Sequence, residues 1–562
     1  MHNSNAVSYP GVQLSWRRVI SIAQNTPDPA AIDDKLEDEM YSSPTSRIQC
    51  MGRALQNMYT ITSQDEGYIA FILTMVQELQ YDCPVSMTFV KHIIDFSEIP
   101  SKETIRNTSI ALLNNGVANC DSQKINQSIM WSMLARKFAG NLAEAMWQEE
   151  IATLLIRSLM DNSRSVKIFA LLALESFALT GSIKKRILNH PLCIVTTLNQ
   201  NLQECYSRLS ESPAVASSPN LTLVSGLRRK YSGKRFYHGL IKRLRIKKTK
   251  KTNVVDPTTT TMACKIEPID WSGLMQSQHC FQWSLNHVFN TPCLSPILLP
   301  KVYLNPRDCT SHCKLSENCL EIRNDTFYLE SARATASVDS GVWYYEVLLL
   351  TNGVMQIGWG TKKCLFLQEE GCGVGDDPNG FAFDTYRSAV WAASEAIYPR
   401  SQRNSGQCKI GDVLGSLLDM DKGLCTFFIN GQDLGLTIQF GVNSKRQTLG
   451  LFPIISLTSH QHVVINFGER SWLYPPNTRH QPMCNSSNQI MDYAKQEQEE
   501  EHDWDGPLCT LCFSEPKDVI LFPCHHDGFG RKCAKILQQC PFCRTKITEI
   551  TTNNIRPQKN VL

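Results

Sequence analysis

Between Pro507 and Arg544 the chain reads PLCTLCFSEPKDVILFPCHHDGFGRKCAKILQQCPFCR, which gathers Cys509, Cys512, Cys524, His526, Cys533, Cys540 and Cys543 into one short stretch. Two thiolates separated by two residues can both reach one ion from a tight turn, so a CxxC pair at each end is the spacing of tetrahedral zinc. The middle supplies a Cys and a His one residue apart, then one more Cys. A segment this short buries too little to fold alone, so ions shared by interleaved pairs would supply folding energy. The competing reading is a set of reduced structural thiols, or disulfides of a secreted domain. Paired CxxC around a Cys/His centre is rare by chance, and the rest of the 22 cysteines are scattered as in a reducing compartment.

The ligand order resembles a RING finger, in which the first and third ligand pairs hold one zinc and the second and fourth hold the other. The resemblance implies one complete site at Cys524, His526, Cys540 and Cys543. It implies a second site at Cys509, Cys512 and Cys533, with a further ligand expected at position 530. That position is Gly530, which has no ligand atom, so a fourth donor must come from water, Asp527 or His525. The resemblance also implies a docking surface for a ubiquitin-conjugating enzyme, matched by apolar Leu511, Pro541 and the cation Arg544. Such a module performs no covalent chemistry: it holds the charged enzyme in a reactive pose, which is catalysis by positioning. The bland reading of Arg544 is a solvated surface charge.

These residues must be carried by something larger. The chain has 562 residues, 42% hydrophobic and 19% charged, which is enough for several ordinary globular domains. A net charge of +3 gives no global reason to expect nucleic acid. The apolar run VISIA after Arg18 is too brief for a signal peptide, and VKIFALLALESFAL is too short and too interrupted to span a bilayer. A cytoplasmic protein without a membrane span is expected, with the nucleus as a second compartment if the basic run described below acts as an import signal.

Residues 1–64 read as a poorly ordered lead-in with one helix near Trp16 to Gln24. From 65 to 205 apolar residues recur at helical spacing, in GYIAFILTMVQELQ, VSMTFVKHIIDF and IMWSMLARKFAGNL among others, with Pro and Gly at the breaks. Short helices too apolar to stand alone must stack, and the segments from Ile125 to Gly181 look armadillo-like without a strict period. Residues 206–262 form a basic low-complexity insertion. From Arg228 to Lys251 it holds twelve Lys or Arg and no acid, with Tyr231, Phe236 and Tyr237 between them. A nuclear-import signal, an arm binding nucleic acid or an anionic membrane, and a self-repelling solvated loop all fit this run. Helical composition resumes over 263–300, with Phe281, Leu285, Val288 and Phe289 on one stripe of HCFQWSLNHVF.

Over 301–475 the period switches to strands, with tight turns at Asp421-Lys422-Gly423 and Asn430-Gly431. The order of GVWYYEV, MQIGWG, GVGDD, VLGSLLDM, TFFINGQDLG, LFPIISL and INFG resembles a SPRY (B30.2-like) domain. This implies a two-sheet β-sandwich that binds a protein segment through loops at one end and that stands without metal. Candidate contacts are Asp376, Asp377, Tyr386, Arg387 and Trp391, while Trp343, Tyr345, Trp359 and Phe428 are expected in the core; Trp391 fits either role. Residues 476–506 read as a flexible acidic linker, 507–550 as the zinc module and 551–562 as a tail.

The expected fold class is therefore a multidomain α+β chain: an N-terminal α-helical, armadillo-like region, a central all-β SPRY sandwich and a small C-terminal zinc-bound RING finger. This combination resembles the RING finger and SPRY domain-containing protein 1 family. It implies a RING-type ubiquitin ligase whose SPRY domain recruits a protein substrate, whose cofactor is zinc, with two ions expected, and whose partner is a ubiquitin-conjugating enzyme. The rival from another class is a non-catalytic SPRY adaptor with a degenerate RING, for which Gly530 is the evidence. A third reading, nucleic-acid association, rests on residues 228–251 alone.

Overall fold

The structure, a computed structural model, describes residues 10–24, 44–114, 120–210, 270–289, 299–398, 408–440, 450–489, 509–510, 517–541, 543 and 545–552. Two compact units emerge, Met1–Gln489 and Ile490–Leu562. The basic run 228–251 and the acidic run near 500 lie outside the described residues.

In the larger unit the helical spacing produces Asp65–Glu78, Pro84–Phe96, Lys102–Asn114, Asp121–Lys137, Asn141–Met146, Glu149–Ser158, Arg164–Phe177, Gly181–Leu188 and Ile194–Ser210. Asp121–Lys137 and Arg164–Phe177 lie at the centre, and the middle of each is buried on all sides, with Trp131 and Phe177 excluded from solvent. Buried amides complete neighbouring helices. Asn126 donates to the Val76 and Leu79 carbonyls (3.1 and 2.9 Å), and Gln127 to the Leu112 carbonyl (2.7 Å), satisfying acceptors that helix ends leave unpaired.

The expectation of a poorly ordered lead-in is corrected. Among the described residues of 1–64 lie the helices Pro10–Gln24 and Pro44–Thr62, because Val12, Trp16, Val19 and Ile22 recur at helical spacing and are buried with Cys50, Ala54 and Met58 in the same core. Among the described residues no helix is long and apolar enough to cross a membrane.

The strand region folds as two antiparallel sheets. One runs in the order Leu304–Cys309, Glu330–Ala334, Phe452–Leu457, Met355–Gly360, Gly380–Asp384, Ala389–Ala392, Glu395–Ile397. The other runs Gln432–Gln439, Leu424–Ile429, Val413–Asp419, Val342–Leu349, His462–Asn466, Glu321–Asn324, Cys313–Leu315. Between them lie Tyr345, Trp359, Phe381, Phe383 and Phe427, all buried. Trp359 Nε1 is satisfied by Ser416 Oγ at 2.8 Å and the Tyr345 hydroxyl by the Gly358 carbonyl at 2.9 Å. Phe428, expected in this core, is only half-buried; strand alternation turns Phe427 inward instead. Asn430 and Gly431 both take positive φ (50° and 77°), as a tight two-residue hairpin requires.

The helical layer packs its apolar core against the outer face of the sandwich. Leu348, Leu350, Val413 and Val464, on the outer face of the second sheet, join the helical cluster. The helix Trp271–Trp283 lies against this face, where Ser272 and Gln276 donate to the Leu350 carbonyl. A buried ionic cluster crosses the same seam: Lys314 Nζ lies 2.7 Å from Glu175 and 2.9 Å from Asp325, and Arg323 Nε lies 2.7 Å from Asp325.

The linker expectation is also corrected at its start. Gln481 and Pro482 pair with Trp343 and Tyr344, and Met483 is fully buried in the sandwich core, so apolar burial fixes this part of 476–489. Among the described residues of the smaller unit, Val519, Leu521, Phe529, Ala534 and Cys540 form a small core.

Candidate zinc centre and peptide-binding face

The strands Val519–Phe522 and His526–Phe529 form a hairpin, and Glu549–Thr552 pairs with the first of them. Cys524 and His526 sit at the hairpin's turn. The chain then enters the short helix Arg531–Ile536 and returns through a second turn, closed by the Gln539–Lys546 bridge and by the Cys540 amide donating to the Thr545 carbonyl at 2.9 Å. These two turns bring Cys524, His526, Cys540 and Cys543 together, with one ligand atom of each within 4.8 Å of the others. Three soft sulfurs and one imidazole at that range are a donor set on which one tetrahedral zinc can close. Thr545 Oγ1 lies 3.3 Å from Cys543 Sγ and, with the Thr545 amide, pushes that thiol down to about 6, toward the thiolate that ligates metal. Zinc bound there would supply structure.

The second expected site is only partly on view. Cys509 is buried and Cys533 half-buried, whereas Cys512 lies outside the described residues. Among the described residues, neither His525 nor Asp527 groups with Cys509 and Cys533 as a third donor, and both are exposed. Gly530 has φ −84° and ψ 163°, an extended backbone that any residue adopts, so chain geometry does not demand glycine there. Of the three docking residues, Pro541 is exposed, and Leu511 and Arg544 lie outside the described residues.

On the sandwich, the candidate contacts flank the strand Gly380–Asp384. Asp376 and Asp377 precede it and Tyr386 and Arg387 follow it, but the loop folds back: Asp376 bonds to Gln356, which lies opposite Asp384, the ion-pair partner of Arg387. Both aspartates are engaged: Asp376 accepts from Gln356 Nε2 on the strand Met355–Gly360 (3.0 Å) and from the Gly373 amide (2.8 Å), and Asp377 from the Asn379 amide (2.7 Å). Arg387 is 2.6 Å from buried Asp384 and stacks 5.3 Å above the Trp391 ring, which is half-buried. Exposed apolar side chains lie around this edge at Leu365, Leu367, Tyr386, Ile397 and Tyr398. Apart from Tyr386, sequence reading passed these over, because irregular loops carry no period.

Residues 342–470 match the SPRY domain family, and residues 505–550 match the family described as zinc finger, C3HC4 type (RING finger). The sandwich is a SPRY domain and the terminal module a RING-type zinc finger. A curated relative, E3 ubiquitin-protein ligase RKP of Arabidopsis thaliana, is 35% identical over 145 residues, which is 26% of this chain and 11% of that protein. Among solved structures, the SPRY domain of human HERC1 overlaps 30% of this chain and 99% of its own at 14% identity and TM-score 0.24. The TRIM65 PSpry domain overlaps 30% and 91% at 17% identity and the same TM-score. Values this low add nothing to the sequence matches.

Proposed function

We propose that the chain is a RING-type ubiquitin ligase, in keeping with its resemblance to the RING finger and SPRY domain-containing protein 1 family. The RING finger binds a ubiquitin-conjugating enzyme through Leu511, Pro541 and Arg544, and the SPRY domain holds a protein substrate along the edge that carries Tyr386, Arg387 and Trp391. Ubiquitin passes from the conjugating enzyme to a substrate lysine without becoming attached to this chain as an intermediate. Rate is gained by holding the two reactants together. Arg544 acts through its rigid fork of donors, bridging ubiquitin and the conjugating enzyme. Leu511 and Pro541 supply the apolar anchor.

The observation that carries this reading is the four-donor cage at Cys524, His526, Cys540 and Cys543, inside a segment that matches the RING family. The full chain, incubated with ubiquitin, activating enzyme, ATP and a panel of conjugating enzymes, is expected to build ubiquitin chains, and Cys540→Ser to abolish them. Inactivity with every conjugating enzyme would favour the adaptor reading, whose evidence is Gly530.

A further inference from the structure

Far from the RING cysteines, the seam between helical layer and sandwich holds a second group of metal-ligating side chains. His279 comes from the helix Trp271–Trp283, Glu321 opens the strand Glu321–Asn324, and His462 opens the neighbouring strand His462–Asn466. In this antiparallel pair His462 lies opposite Arg323, and Val464 opposite Glu321. Alternation sends Ile322, Val463 and Ile465 into the sandwich core and leaves Glu321 and His462 on the outer face, beneath the helix that delivers His279. One ligand atom of each lies within 4.8 Å of the others, and all three residues are buried, His462 completely.

Finer geometry favours coordination over plain packing. His279 Nε2 faces the Lys314 carbonyl at 3.2 Å, which assigns the ring proton to that nitrogen and turns the Nδ1 lone pair toward Glu321 Oε1, 3.8 Å away. A backbone carbonyl holding the far nitrogen is the usual way a ligating imidazole is oriented. His462 Nε2 lies 2.9 Å from the same Oε1 but without hydrogen-bond alignment, so neither ring nitrogen of this buried histidine has a hydrogen-bond partner. An unmade hydrogen bond in the interior costs about 1–3 kcal/mol, a cost that a metal–nitrogen bond would remove. Donors spaced 2.9 and 3.8 Å from a shared oxygen bracket the roughly 3.3 Å edge of a tetrahedron built on bonds near 2.0 Å. The nearby cations Lys314 and Arg323 are already held by Glu175 and Asp325, which lowers their opposition to an incoming dication.

We propose that His279, Glu321 and His462 bind one divalent transition-metal ion that pins the helical layer to the SPRY sandwich. Two imidazoles and a carboxylate suit zinc or iron(II), with a fourth position left to solvent. Enclosure makes this ion slow to exchange, unlike the metal of the RING module with its exposed Cys543.

The test is elemental analysis of the full-length protein for all first-row metals, which also tells zinc from iron. His462→Gln and His279→Gln should each lose one equivalent while the RING metal remains, and Cys543→Ser should keep the seam equivalent. Unchanged metal content in a folded His462→Gln protein would overturn the proposal. If those variants do not fold, cobalt-loaded wild type serves instead. RING cobalt shows thiolate charge-transfer absorption and seam cobalt does not, so removing the thiolate band with a chelator should leave one bound cobalt. No cobalt remaining at that point would also overturn it.

Discussion

The two units of this chain are stabilised by different means. Met1–Gln489 buries large aromatic residues in two cores that meet across a seam, whereas the described part of Ile490–Leu562 has six fully buried side chains, two of them the expected ligands Cys509 and Cys540. Apolar burial contributes roughly 25 cal/mol per Å², so the larger unit has an ample source of stability and the smaller does not. Structural zinc contributes on the order of 10–16 kcal/mol, more than such a small core can supply. Metal should therefore be a condition of folding in the RING finger and a local reinforcement in the larger unit.

The sharpest break of that contrast is Cys540→Ser, which should unfold the finger and abolish ubiquitin transfer while the larger unit keeps its melting transition. Differential scanning calorimetry with a transfer assay measures both, and joint loss of both transitions would refute the separation. Within the larger unit, Lys314→Met leaves Glu175 and Asp325 buried without their shared cation. It should cost about 3–5 kcal/mol, read by chemical denaturation. Acid should act on the same cluster. Against the upward push of burial, the Arg323 and Lys314 charges hold Asp325 well below the usual carboxylate range. A depressed folded value means that this stability is present above the ordinary carboxyl range and is lost as pH falls through the folded one. A unit whose stability does not decline below about pH 4 would contradict this.

Docking variants come next in size. Leu511→Ala should weaken conjugating-enzyme binding by about 2 kcal/mol, roughly 30-fold, with the fold intact. Arg544→Ala should instead slow discharge of the thioester more than it weakens binding. Titration of the conjugating enzyme and single-turnover discharge separate the two effects, and unchanged transfer in both variants would favour the adaptor. The smallest effect is expected from Gly530→Cys. We propose that the finger holds two ions of unequal affinity, a tight one at Cys524, His526, Cys540 and Cys543 and a labile one at Cys509, Cys512 and Cys533. Because φ at 530 is ordinary, a thiol there should tighten the labile site and raise the finger's midpoint by a few degrees. Two equally chelator-resistant ions in the native chain would show that the site is already complete.

The seam also bears on the expectation that the sandwich stands alone. Without the helical layer, Leu348, Leu350, Val413 and Val464 and the charges at Lys314, Arg323 and Asp325 would lose their cover. A fragment limited to the SPRY residues should aggregate, and a soluble, fully stable one would show that the seam contributes little.

By itself the sequence determined the four donors Cys524, His526, Cys540 and Cys543, the helical and strand regions, and hairpin turns such as Asn430-Gly431. Each is written in local spacing: CxxC pairs, recurrence at three and four residues, alternation at two, and residues that tolerate positive φ. What only the tertiary structure decided is which faces meet. Strand period alone cannot say that the face bearing Glu321, Arg323, His462 and Val464 is covered by helices, because polar residues at alternate positions ordinarily mark solvent. Nor could it bring His279 to Glu321 and His462, or fold Asp376 back onto Gln356, opposite Asp384. Those placements depend on packing between segments distant in sequence, and local spacing does not record them.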